Sequence, residues 1–380
     1  MMLAIDGGKP EITGPLKRFS GISRLEAAAA STVVHDGQLS GFLGGEPRGG
    51  RWVRALEDKW AETFGVKHAV ACNSATSGLL AACHAVGIER HDLVITTPFT
   101  MSATAAAPRW LGANLHFADV EDQTFCLRVP PLIDWRAKAV IVTNLFGHPA
   151  HLEDLRYHCL DRGVELIEDN AQAPFAMESS EYAGTFGDVG VFSLNIHKHI
   201  QCGEGGVCVT DDDDLAQRLR GFINHGELAG GAIGLNLRMT EVTAAIALAQ
   251  LARGKSIVEG RIAQAEAIIA AIGPIPGLRP PVVRAGCKHV YYTIPFLIEG
   301  ERARFVTALA AEGVPLVEGY GPPLYRLPAF APFARPCPVA DDLHDRRLFY
   351  FENCGYDPSP EQIRQIGNAF QKVAERMGAT

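Results

Sequence analysis

The 380-residue chain contains nine cysteines, but none of them form a C-x-x-C pair. Neither a zinc site nor a disulfide framework is therefore suggested, and no metal is expected. The thiols read as reduced, mostly buried small hydrophobes of a cytoplasmic protein. No apolar run is long enough to cross a bilayer, and alanine-rich stretches such as residues 26–30 are far too short. The opening MMLAIDGGKP lacks the basic region and apolar segment of a secretory signal. Basic residues never run beyond two together, and 35 Lys+Arg against 43 Asp+Glu leave a formal charge of −8. That balance disfavours nucleic acid or an anionic membrane as partner. No low-complexity tract or internal repeat is present, which excludes a solenoid.

What is present is a recurring pattern of short apolar strand, polar turn and helical run. Strands are expected over residues 68–72, 92–97, 114–118, 137–144, 164–168, 189–194 and 206–209. Helices are expected over 51–64, 77–86, 103–111, 152–162 and 214–224. Strands without polar alternation, separated by helices, indicate an α/β fold with a mostly parallel sheet covered on both faces. Trp52, Leu56, Trp60 and Phe64 fall on one helical face and read as core. The first fifty residues read as loop-rich, with a dense glycine segment over 40–50. A long helical region spans 241–272, a proline-rich connector follows, and a second, smaller α/β unit begins near residue 290. The domain boundary is placed near residue 252, giving a large domain over 1–252 and a small one over 253–380, closed by a helix over 361–377.

Ligands of such sheets gather where strands end and helices begin, and three polar clusters lie at strand ends. Residues 73–78, Asn-Ser-Ala-Thr-Ser-Gly, follow the first strand and open a helix. Small hydroxyls and free N–H groups there suit a phosphate, although Ser74 or Thr76 as a simple N-cap reads equally well. The adjacent acids Glu168 and Asp169 end another strand, where a cation, Mg²⁺ or a helix cap would meet them. Lys198 follows the strand that carries Ser193 and precedes a Gly-Glu-Gly-Gly turn, Gly203 to Gly206. By itself it reads either as a solvated loop charge or as a semi-buried nucleophilic amine. A phosphate cradle, an acid for a ring nitrogen and a semi-buried lysine are together the parts that pyridoxal phosphate requires.

The order Ser-x-Thr, I-E-D-x-A-Q, F-S-x-x-x-x-K and G-E-G-G resembles the DegT-type sugar aminotransferases, a branch of the fold-type I pyridoxal-phosphate enzymes. The likeness extends through IDGGKP, FGVKHAV, GTFGDVGVFS, NHGE and GLNLRMTEVTAAIALAQL. It implies that Lys198 is catalytic and holds the cofactor as a Schiff base. Asp169 would pair with the pyridine nitrogen and Gln172 would approach the phenolic oxygen side. Ala75, Thr76 and Ser193 would hold the phosphate, and Asn236 would reach the phosphate of a neighbouring subunit in a homodimer with shared sites. Arg238 and His225 lie in matching segments without a defined role, and Glu204 shapes the turn.

The chain departs from the family pattern at several positions. Met101 stands where an aromatic residue covers the ring, with Phe99 near enough in sequence to compensate. Ala75 replaces a glycine, and His197 replaces a threonine before the lysine. His197, His199 and Tyr320 are the candidate substrate contacts, and the loops over 40–50, 226–235 and 318–328 are candidates for setting specificity. The implied reaction takes an amino group from glutamate or glutamine to a keto sugar, nucleotide-linked, or to a keto-cyclitol. Two alternatives stay open: a dehydratase of the same scaffold using pyridoxal or pyridoxamine phosphate, and a non-catalytic regulatory relative.

Overall fold

All seven expected strands pair into a single sheet: β1 (His68–Cys72), β2 (Leu93–Thr96), β3 (Asn114–Phe117), β4 (Ala139–Thr143), β5 (Glu165–Asp169), β6 (Val189–Ser193) and β7 (Gly206–Thr210). The computed structural model describes residues 2–42, 47–128, 136–226 and 233–377. Parts of two expected specificity loops, residues 43–46 and 227–232, lie outside them.

The strands lie in the order β1-β7-β6-β5-β4-β2-β3. Neighbours from β6 through β5, β4 and β2 to β3 run parallel. β7 alone opposes both of its neighbours. The reason is local, because residues 194–205 carry no helix to take the chain back across the sheet, and a parallel return needs such a crossover. As a result β7 starts where β1 and β6 end. Helices cover both faces, so β4, β6 and β7 are buried along their whole length. Leu56, Trp60 and Phe64 of helix Arg51–Phe64 enter the core as expected, with Phe64 packing 4.8 Å from the Phe192 ring.

Three features differ from the sequence reading. The loop-rich N-terminal region contains a helix, Arg24–Asp36. Its weak amphipathicity hid it, but Ser23 and Glu26 form a capping box, a signal that is visible in the sequence. The long helical region is two helices, Glu241–Leu251 and Gly254–Ile272, parted at Ala252–Arg253. A second apolar core surrounds a four-stranded antiparallel sheet with strands Leu278–Arg279, Ile294–Ile298, Leu348–Phe351 and Leu316–Glu318 in that order. That core recruits Leu3, Ile12 and Leu16 from the N-terminus, which the sequence reading assigned to the large domain. Residues Leu324, Phe330 and Leu343 return in the opposite sense, to the core of the large sheet.

The helix break is tied to the N-terminal helix by Glu26, which accepts from the Arg253 guanidinium and from Gln250 Nε2 at 2.9 Å. Burial pushes the Glu26 pKa up, but the hydrogen bonds from Ser23, Arg253 and Gln250 outweigh it and hold the acid at about 2. A folded pKa below the unfolded one stabilises above the unfolded value and loses that contribution as pH falls. Glu26→Gln is therefore expected to lower the urea midpoint at neutral pH, by about 2–3 kcal/mol of stability. The gap to the parent protein should close between about pH 4.5 and 2, as followed by urea titrations across that range.

Candidate active site

The C-terminal ends of β1, β4, β5 and β6 and the start of β7 enclose a cavity of about 390 Å³. Ser74, Ala75, Thr76, Met101, Asp169, Gln172, Ser193, His197 and Lys198 line it, joined by Thr100, Asn195, Glu204 and Tyr292. A hollow of about 470 Å³ opens at the opposite edge of the sheet around Glu165, Asp188 and Asp212, and contains none of these groups.

Strand pleat separates the two adjacent acids, because successive side chains point to opposite faces. Glu168 turns away from the cavity and accepts from the backbone N–H groups of Gly184 (2.7 Å), Phe186 (2.7 Å) and Gly187 (2.9 Å). It staples a loop. Asp169 faces the cavity, accepting from Thr104 Oγ1 at 2.7 Å and from the Ala171 N–H at 3.2 Å. Burial raises the Asp169 pKa, and the Thr104 and Ala171 hydrogen bonds and the Lys198 charge offset this in part. Thr104 belongs to a chain of hydroxyls, Thr143 to Thr100 to Thr104, with each step 3.0 Å. Since an ionised carboxylate only accepts, the direction of every bond in that chain is set from the Asp169 end. Sequence reasoning did not identify Thr100, Thr104 or Thr143, because isolated threonines on three elements carry no local signal.

Helix Ala75–Ala85 points its N-terminus into the cavity. Ser74 caps it by accepting from the Ser77 N–H at 3.1 Å. The N–H groups of Ala75 and Thr76 have no acceptor among the described residues. Gly206 is paired with Cys72 on one side and Ser193 on the other. A Cβ there would lie 2.6 Å from the Ala75 nitrogen and the Ser74 carbonyl carbon, so only glycine lets β7 come this close to the helix start.

Lys198 sits on a braced turn between β6 and β7. Leu194 and Ile196 donate their N–H groups to the carbonyls of Gly205 and Gly203 at 2.9 Å each. Asn195 Nδ2 donates to Glu204 at 2.9 Å, and Asn195 Oδ1 accepts from the His197 N–H at 3.1 Å. The half-buried Lys198 side chain places Nζ 4.3 Å from the centre of the Tyr292 ring, with no carboxylate in ion-pair range among the described residues. Burial lowers its pKa to about 8, against the opposing pull of Asp169 and Cys354.

Gln172 is clamped, accepting from the Phe146 N–H at 2.8 Å and donating to the Tyr320 hydroxyl at 3.1 Å. Tyr320 therefore stands behind Gln172, with its ring 5.3 Å from that of Phe146. Met101, 59% exposed, covers the mouth; Phe99 is fully buried, packs 5.7 Å from Tyr320 and does not line the cavity. His197 is exposed on the rim. His199 is fully buried and outside the lining, bonded through Nε2 to the Val290 carbonyl at 2.8 Å. Asn236 is exposed and does not line the cavity of its own chain. The neighbouring Leu237 carbonyl accepts from the Asn73 N–H at 2.8 Å, which ties that segment to the helix start. Arg238 donates to Asn224 at 2.8 Å, away from the lining.

One cavity thus brings together a helix start with two N–H groups that lack acceptors among the described residues, a buried acid and an amine with a lowered pKa. Residues 43–370 match the model of the DegT/DnrJ/EryC1/StrS aminotransferase family. The chain belongs to that family. It is 34% identical over 307 residues to the UDP-N-acetyl-3-dehydro-alpha-D-glucosamine 3-aminotransferase of Acidithiobacillus ferrooxidans, covering 79% of this chain and 83% of that one. A putative L-glutamine:3-amino-2,3-dideoxy-scyllo-inosose aminotransferase of Micromonospora echinospora is 28% identical, with 99% and 98% covered. Among solved structures, DesI in the presence of its TDP-sugar product superposes with a TM-score of 0.85 at 28% identity, covering 99% of this chain and 97% of that chain. The chain is thus an α/β aminotransferase of fold type I.

The residues present fit pyridoxal phosphate: among the described residues the N–H groups of Ala75 and Thr76 have no acceptor, as an anion site requires, and the buried Asp169 has no cation in ion-pair range. Gly206→Ala is expected to push the helix start out of place. Such overpacking costs about 1–3 kcal/mol, so binding of added pyridoxal phosphate should weaken about tenfold or more, as measured by absorbance titration.

Proposed function

We infer that the protein transfers an amino group from glutamate or glutamine to the keto group of a nucleotide-linked sugar or of a cyclitol, with pyridoxal phosphate as cofactor. The observation that carries this reading is Lys198, half-buried in one cavity with Asp169 and the start of helix Ala75–Ala85. When bound, the cofactor supplies an aldehyde for amine exchange and a ring that takes up the electrons left when a proton departs. Ala75, Thr76 and Ser193 would hold its phosphate, and Asp169 would keep the ring nitrogen protonated. Gln172, fixed by Phe146 and Tyr320, would lie toward the ring's oxygen, and Met101 would pack against the ring.

Lys198 moves the proton in each half of the reaction. An amine with a pKa of about 8 keeps about a tenth of its population in the base form at pH 7, against well under a hundredth for an ordinary lysine, so both forms are accessible for transfer. The cavity lining includes hydroxyl, amide and imidazole groups, which suits a hydroxylated acceptor. His197, exposed on the rim, would meet such hydroxyls. The sugar and cyclitol aminotransferases among the relatives support the same acceptor class.

A homodimer is supported by the exposed Asn236 with the exposed apolar residues Ile233 and Leu235 just before it in the chain. The nine free thiols support a cytoplasmic location. The presence of Lys198 favours transamination over the dehydratase and regulatory alternatives.

Lys198→Ala is expected to abolish the absorbance of the lysine–cofactor linkage and to cut turnover by about 100- to 10,000-fold. The parent enzyme, given glutamine or glutamate with a panel of keto sugars and keto-cyclitols, should release 2-oxoglutaramate or 2-oxoglutarate and an aminated product. A deoxygenated, unaminated product would reverse the assignment to a dehydratase.

A further inference from the structure

The structure places one aromatic ring of the second half of the chain directly on the lysine. Tyr292 lines the cavity, and its ring face meets Lys198 Nζ at 4.3 Å. The next residue, His199, bonds the Val290 carbonyl, two positions before Tyr292. Adjacent residues on the turn thus hold Val290 and Tyr292, either side of a bend at which Tyr291 takes φ +49°.

That segment is itself closely fixed. Val290 and Tyr292 donate their N–H groups to the carbonyls of Gly147 and Phe146 at 2.9 Å each. Gly147 adopts φ +99°, and a Cβ there would lie 2.9 Å from the Tyr291 and Tyr292 nitrogens. Asn353 Nδ2 donates to the Tyr291 carbonyl at 2.7 Å, and the Cys354 N–H donates to the Tyr292 carbonyl at 3.2 Å. Donation to a carbonyl requires the proton of His199 on Nε2, which leaves Nδ1 buried without a partner among the described residues. Burial holds the His199 pKa down to about 4, so the ring is neutral and adds no charge beside the lysine.

We propose that Lys198 and His199 form a two-point clasp on residues 290–292. In this clasp Tyr292 is the positioning residue whose ring face seats the lysine nitrogen, and His199 holds that ring in place through the Val290 carbonyl. A cation over an aromatic face is favoured, and more so when desolvated. The ring therefore stabilises the ammonium form of Lys198 in a site where burial opposes it. The other groups facing the lysine are Asp169 across the cavity, the buried Cys354 thiol, and His197 and Glu204 on the rim. Behind them, Arg261 acts on His199 and Cys354, and Glu352 acts on Tyr292. The inference rests on Lys198 being the residue that joins the cofactor.

The test uses the full chain freed of cofactor, with pyridoxal phosphate added at a series of pH values. The neutral amine adds to the aldehyde, a C=N bond forms and water leaves, so the rate of linkage follows the neutral fraction of Lys198. The parent protein should show a midpoint near 8. Tyr292→Leu is expected to move the midpoint down by about half a unit to one unit, whereas Tyr292→Phe, which keeps the ring, should leave it in place. His199→Asn should reproduce part of the downward shift, and its combination with Tyr292→Leu should go no further than Tyr292→Leu alone. Should the leucine variant fail to fold, Tyr292→Met carries the same comparison.

An unmoved midpoint in Tyr292→Leu, or an equal shift in Tyr292→Phe, overturns the role of the ring. Additive shifts overturn the role of His199. Linkage that persists in Lys198→Ala would instead overturn the assignment of the lysine, which separates the two failures.

Discussion

The site depends on one strand that opposes its neighbours. Twelve residues without a helix connect β6 to β7, too little structure for a parallel return, so β7 enters the sheet antiparallel between β1 and β6. Its first residue, Gly206, then meets the ends of both strands, next to Ser193 and against the start of helix Ala75–Ala85. The connection that cannot cross the sheet is the turn that carries Lys198. A single topological constraint therefore brings the lysine, Ser193 and the anion-binding helix start to one edge, although the first and last of these are more than a hundred residues apart.

Charge is handled with the same economy. An amine and a carboxylate share the cavity without closing to ion-pair distance, and burial pushes each toward its neutral form. Pairing them directly would satisfy the lysine at the expense of its reactivity. Instead the carboxylate is held by Thr104 and Ala171, and the lysine nitrogen by an aromatic face, an interaction weak enough to give up. Both groups are thereby kept available for a ligand that brings a cationic ring nitrogen and a carbonyl.

Much of this was legible in the sequence because the fold writes it locally. Each of the seven strands is a short apolar run ended by polar residues, and the motifs at residues 73–78, 168–172 and 193–198 lie at those ends. The antiparallel sense of β7 was present as a missing helix between two strands, a signal that the overall parallel pattern concealed. Helix Arg24–Asp36 was announced by Ser23 and Glu26 but lacked the apolar stripe that reveals the helix over 51–64. What no local pattern carries is the supporting set: the three threonine hydroxyls, Tyr320 behind Gln172, and Tyr292 on the lysine. These come from separate elements, with Tyr292 and Tyr320 both from beyond the proline-rich connector, so their meeting is a property of the packing alone.

The two histidines beside the lysine show the same limit most sharply. His197 and His199 are identical side chains flanking one residue, and sequence reading grouped them as substrate contacts. The turn sends them to opposite environments. The His197 N–H is bound to Asn195 and its ring stays on the rim, while His199 is carried under the turn to the Val290 carbonyl. A fully buried neutral imidazole with one unpartnered nitrogen costs free energy that its hydrogen bond to Val290 must offset. Its location accounts for that cost in terms of position rather than binding: it joins the lysine turn to the segment that presents Tyr292. The turn sets where the lysine stands, and the residue after it holds the segment that the lysine nitrogen rests against.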